Sequence, residues 1–95
     1  MKVNLKLFLP VLPEAIGRKE LEVEFAGETV NDLIKHLVTR YGRKARQALY
    51  DKKGRLDPVV QVLLNGEEWI TRDRLDTTVL RDGDEVMLMI LVGGG

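Results

Sequence analysis

The sequence predicts an α+β domain, with one main helix packed on a mixed sheet of about five strands. Three observations predict it. Apolar and polar residues alternate over 3–9 and again over 20–25, a helical apolar period of about 3.6 residues runs over 30–41, and an unbroken apolar run occupies 86–92. Alternation is the mark of a half-buried strand, and the helical period marks a face turned to a core. The unbroken run fits a central strand with apolar surroundings on both sides.

Taken in order, Val3, Leu5, Leu7 and Leu9 share one face of the first strand, with Asn4, Lys6 and Phe8 on the other. Pro10 and Pro13 stop it, and Gly17-Arg18 reads as the tip of a connection. Leu21, Val23 and Phe25, set between Glu20, Glu22 and Glu24, make a second strand and an antiparallel hairpin. Val30, Leu33, Ile34, Leu37, Val38 and Tyr41 then form one continuous helical face. Thr29 is placed to cap that helix, with Asp32 completing a capping box, and Gly42 follows as the stop. Residues 43–50 predict a short second helix with Ala45, Ala48 and Leu49 inward. A strand is expected over 59–64, the Asn65-Gly66 hairpin turn after it, and a short return strand over 67–70. Residues 75–80 read as irregular, and Asp82-Gly83-Asp84 turns the chain into the last strand. If that strand runs parallel beside the first, the architecture is a β-grasp.

Ninety-five residues, 44% of them apolar and 32% charged, suffice for one domain with one core, taken as residues 1–92 with 93–95 as a tail. The chain has no cysteine, which excludes a disulfide framework, a thiolate metal site and a cysteine nucleophile. Fifteen acids balance fifteen bases, so no global field argues for nucleic acid or a membrane. Asn4, Lys6, Pro10 and Pro13 interrupt the apolar segment a signal peptide needs. The run over 86–92 is far short of the ~20 residues of a membrane helix. A cytoplasmic location is expected.

The most informative feature is Gly93-Gly94-Gly95, directly after the most hydrophobic segment. Glycines cannot pack a core and are costly to order. They can thread a narrow channel, reaching roughly 10 Å when extended. That arrangement suits a chain whose working group is its own terminal carboxylate at Gly95. Met87, Met89 and Leu91 alternate with Val86, Leu88, Ile90 and Val92. The branched set is assigned to the helix-covered face, which leaves Met87, Met89 and Leu91, extended by Phe8, as an adaptable docking surface. Asp82 and Asp84 are read as turn formers and as an acidic rim for the same partner.

The strand–strand–helix–strand–strand order, the Asp82-Gly83-Asp84-Glu85-Val86 turn into the last strand, and the final Gly94-Gly95 together resemble the ubiquitin-like sulfur carriers. These are the molybdopterin synthase small subunit, the thiazole-synthesis carrier and relatives in cysteine synthesis. The resemblance implies a β-grasp fold and a cycle run by partners. An E1-like adenylyltransferase, consuming ATP and magnesium, would adenylate the Gly95 carboxylate. A sulfur donor would convert it to a thiocarboxylate, and a sulfur-accepting enzyme would use it. It implies no bound cofactor, no metal site and no catalytic residue of the chain's own. Molybdopterin synthesis is favoured on length and last-strand spacing, ahead of cysteine or thiazole synthesis. A ubiquitin-like modifier joined through Gly95, and a non-catalytic β-grasp interaction module with an inert tail, are the alternatives.

Other features read as structural. Arg40, Arg43, Lys44, Arg46, Lys52, Lys53 and Arg55 face one acid, Asp51, in the intervening stretch. With few aromatics among them and zero net charge on the chain, they read as a solvated face rather than an RNA or acidic-partner patch. His36 lacks ligand partners and reads as a surface residue, and Trp69 as a partly buried anchor. Asp82, Asp84 and Glu85 form no complete ligand set for a metal.

Overall fold

In the computed structural model, residues 1–9, 17 and 19–90 are described. Residues 10–16, 18 and 91–95 lie outside them, and with them the expectations for Pro10, Pro13, Arg18, Leu91 and the glycine tail.

The elements are β1 (Lys2–Phe8), β2 (Glu20–Glu24), α1 (Val30–Tyr41), α2 (Arg43–Leu49), β3 (Val60–Leu64), β4 (Glu68–Ile70), a 3-10 turn at Arg72–Arg74, and β5 (Glu85–Ile90). The sheet order is β2-β1-β5-β3-β4. β5 runs parallel to β1 and antiparallel to β3, so it is the central strand. This is the β-grasp arrangement. Several expected bounds shift by a residue, among them the first strand (Lys2–Phe8 for 3–9), the second (Glu20–Glu24 for 20–25), the return strand (Glu68–Ile70 for 67–70) and the start of the last (Glu85 for 86), and two further shifts have a visible consequence. The strand expected from residue 59 begins at Val60, leaving Val59 about half exposed. The short helix expected over 43–50 ends at Leu49, where the Tyr50 backbone turns extended and bridges to Leu56.

Alternation explains why one face of the sheet is dry. Val3, Leu5, Leu7, Val23, Val60, Val62, Val86 and Leu88 point to the helices and are buried with Leu33, Ile34, Leu37, Ala45 and Leu49. Among the described residues no polar or charged residue is buried. Burying one such Leu or Val side chain contributes roughly 1.5–3 kcal/mol, so this single apolar layer between sheet and helices dominates stability.

Local chemistry sets the helix boundaries. The Thr29 side chain accepts a hydrogen bond from the Asp32 amide at 3.1 Å. The Asp32 carboxylate in turn accepts from the Thr29 and Glu28 amides at 3.1 and 3.0 Å. These backbone donors hold the Asp32 pKa below the usual carboxylate value. Gly27 makes room for the box. It has φ of +152°, and a Cβ there would lie 2.6 Å from the Asp32 Cβ. At the other end of α1, Gly42 takes a positive φ and donates to the Val38 carbonyl at 2.9 Å.

Candidate docking face and strand exit

β5 is aimed by the turn before it. The Asp82 carboxylate accepts from the Lys2 amide at 2.8 Å, and the Asn4 amide donates to the Asp84 carbonyl at 2.8 Å, which ties the turn to β1. On its other side, Asp84 accepts from the Arg81 amide at 2.8 Å and from the Asn65 side-chain amide at 3.1 Å. Asn65 then accepts from the Glu85 amide at 2.8 Å. Asn65 has a positive φ of 53°, as the Asn-Gly hairpin turn requires. Its side chain thus links the β3–β4 turn to the start of β5. The Asp-Gly-Asp sequence and the Asn-Gly hairpin together hold β5 in register between β1 and β3. Six residues on, β5 ends at Ile90, opposite Val60.

Among the described residues no helix covers the second face of the sheet. Register brings Lys6, Met87, Leu63 and Trp69 into one row across β1, β5, β3 and β4. The next row joins Phe8, Met89 and Gln61. Phe8 is 53% exposed and Trp69 50%, while Leu63, Met87 and Met89 are partly exposed. The product is an apolar patch with two flexible thioethers at its centre, the soft side-chain chemistry of an adaptable surface. Its charged border is the Lys6 ammonium, 3.0 Å from Glu85 and 4.0 Å from Glu20. The hydrogen bond from Lys6 to Glu85, and the charge of that carboxylate, raise the lysine pKa.

Phe8, Met87 and Met89 are therefore neighbours on one face. Leu91 and Gly93, Gly94 and Gly95 lie outside the described residues. Asp82 and Asp84 sit at the start of β5, the opposite end from Ile90, with their carboxylates engaged in the turn. A rim role for them would need a partner that spans the whole strand. Trp69, expected as a partly buried anchor, stands half exposed beside Leu63 on the edge strand β4. Leu63 belongs to the patch too. Its membership follows from register with Met87, which the linear sequence does not display. His36 is partly buried with its ring 6.1 Å from that of Phe25, a packing role.

Among the described residues no group of three or more His, Cys, Asp or Glu side chains is arranged to hold a metal ion. No helix among them is long and apolar enough to cross a membrane.

Comparison with known proteins agrees with this geometry. The ThiS family matches residues 7–95, a span that includes β5 and the glycines after it. A candidate sulfur carrier protein of Archaeoglobus fulgidus is 33% identical over 84 residues, covering 88% of this chain and 93% of the relative. The crystal structure of small archaeal modifier protein 1 from Haloferax volcanii is 28% identical, covers 100% of both chains and superposes with a TM-score of 0.77. The solution structure of small archaeal modifier protein 1 from Methanosarcina acetivorans is 32% identical, covers 99% of this chain and 96% of its own, and gives 0.70. The chain belongs to the ThiS family, the ubiquitin-like β-grasp sulfur carriers and small modifiers.

Proposed function

We propose that the chain is a sulfur carrier that acts as a protein cosubstrate in the cytoplasm, with the Gly95 carboxylate as its working group. The observation that carries this reading is the family match through Gly95, on a chain whose rigid central strand is followed within five residues by that glycine. An α-carboxyl with a pKa near ~3.5 is ionised at neutral pH and resists displacement of its oxygen. Attack of that carboxylate on the α-phosphorus of ATP releases pyrophosphate and leaves an acyl adenylate. A sulfur nucleophile then displaces AMP and leaves a thiocarboxylate, from which a sulfur-accepting enzyme takes its sulfur. ATP and magnesium belong to the E1-like partner. The carrier contributes reach, through Gly93 and Gly94, and a grip, through Phe8, Met87, Met89 and Leu91 with Leu63 and Trp69 beside them. Asp82 and Asp84 would extend that grip only to a partner covering all of β5. Molybdopterin synthesis is the favoured destination, with cysteine or thiazole synthesis as the other acceptors.

Conjugation through Gly95 to lysines of other proteins is a second reading, supported by the likeness to small archaeal modifier protein 1. It shares the adenylate and differs in what attacks it. The test is incubation with an E1-like enzyme, ATP and sulfide, followed by a thiol-reactive tag. The chain has no cysteine, so a rapid ATP-dependent tag reports a thiocarboxylate, to be located by fragment mass spectrometry. Tagging at Gly95, absent after deletion of Gly94 and Gly95, is the expected result. Isopeptide adducts without tagging would favour the modifier, and neither product would leave an interaction module with an inert tail.

A further inference from the structure

We propose that Met87 and Met89 form a reversible oxidation switch on the docking face: peroxide converts them to sulfoxides, the face loses affinity for the enzyme that engages it, and reduction restores it. This rests on the docking role given to that face above.

The chain has few groups that answer an oxidant. It has no cysteine, and its three methionines are Met1, Met87 and Met89. Thioethers take one oxygen atom from peroxide under mild conditions, so in the absence of thiols these three sulfurs set the response. Their positions differ. Met1 begins the chain with its amine donating to the Phe25 carbonyl at 3.2 Å, and its side chain packs against the core. Met87 and Met89 lie on the other side of the sheet, both partly exposed. Register sets Met87 between Lys6 and Leu63, and Met89 between Phe8 and Gln61. Peroxide therefore meets both side chains in the folded protein.

The fold does not require methionine at either place. β-branched and aromatic side chains are the better strand formers. The core contribution of β5 comes from Val86 and Leu88, which are fully buried on the opposite face. A change of polarity at Met87 or Met89 is thus felt at the surface and not in the core.

The chemistry balances with one oxidant. The thioether sulfur gives two electrons to peroxide, the O–O bond breaks, one oxygen stays on sulfur and the other leaves as water. Return takes two thiols, which carry the oxygen off as water and end as a disulfide, under a methionine sulfoxide reductase. The sulfoxide is polar and bears an acceptor oxygen in the middle of a patch that holds Phe8, Leu63 and Trp69. Any partner that closes over the patch strips water from that oxygen, which opposes docking unless a donor replaces it. Two such groups stand two residues apart on one strand face. Met89 is also next to Ile90, the last residue of β5, so the change falls where the strand ends.

The test treats the full chain with hydrogen peroxide, removes the peroxide, and locates sulfoxides by peptide mass spectrometry. An E1-like enzyme that has never met peroxide then reports KM and kcat for the carrier through ATP–pyrophosphate exchange. The expected result is sulfoxide at Met87 and Met89, KM raised about tenfold with kcat unchanged, and an unfolding midpoint moved by no more than about 3 °C. Methionine sulfoxide reductases acting on both epimers, with dithiothreitol, should return KM to its starting value. M87L/M89L, compared with itself before treatment, should show no change in KM. An unchanged KM in wild type carrying both sulfoxides overturns the inference and leaves the carrier reading standing. So does a rise in M87L/M89L equal to that of wild type, which would place the effect at Met1 or elsewhere. Oxidation confined to Met1, or a rise that the reductases do not reverse, overturns it as well. An untreated chain that is not activated at all removes the reading under Proposed function and the inference with it.

Discussion

The two faces of the sheet are built from the same strands and the same backbone hydrogen bonds, and they differ sharply in burial. Along β5, Val86 and Leu88 are fully buried under the helices, while Met87 and Met89, one residue away in each case, open to solvent. On β1 the same contrast separates Leu7 from Phe8, which are 1% and 53% exposed. Pleating sends neighbours to opposite sides, so one strand can hold the fold together with one set of side chains and present another set to a partner. Stability and recognition are then separable by substitution at adjacent positions.

The largest effect should come from breaking the covered face. Leu88→Ala removes a fully buried side chain from the central strand and is expected to cost about 2–5 kcal/mol in urea unfolding. A cost below about 1 kcal/mol would mean that the core is not centred on β5. One residue on, the open face should respond in the other currency. Phe8→Ala is expected to change stability by less than about 1 kcal/mol while raising the KM of the activating or accepting enzyme roughly tenfold. Trp69→Ala sharpens the comparison, since a normal KM there would limit the docking patch to β1 and β5.

The smallest effect concerns pH. Asp32 has its pKa depressed in the fold by the Glu28 and Thr29 amides, so the unfolded chain binds more protons in acid. Its contribution is present above the unfolded carboxyl pKa near ~3.9 and is lost as pH falls through the lower folded value. Asp51 and Asp73 are shifted the same way, the first chiefly by the Arg55 amide and the second chiefly by the Thr71 side chain. Stability should therefore be flat from about pH 7 to 5 and fall below about 4. Asp32→Asn should make that acid limb shallower in denaturation curves taken across the range.

Features that depend on neighbours along the chain were legible in the sequence. The helical period and the Thr29–Asp32 box give α1 the observed bounds Val30–Tyr41, because capping and facial periodicity act over three or four residues. Alternation likewise identifies β1 and β2, and on β5 the branched set, Val86 and Leu88, is the buried one and Met87 and Met89 the partly exposed one, because side-chain direction repeats every two residues. The turn into β5 was legible for the same reason, as a contiguous motif. What only the tertiary structure decided are relations between distant segments. Leu63 and Trp69 join Met87 through strand pairing, and a slip of one residue would have sent each to the other face. Asp82 and Asp84, close to the tail in sequence, are a strand length away from Ile90, because β5 is extended. Local patterns follow from bonded geometry over a few residues. Surfaces are assembled from long-range pairings, and these exist only once the chain has folded.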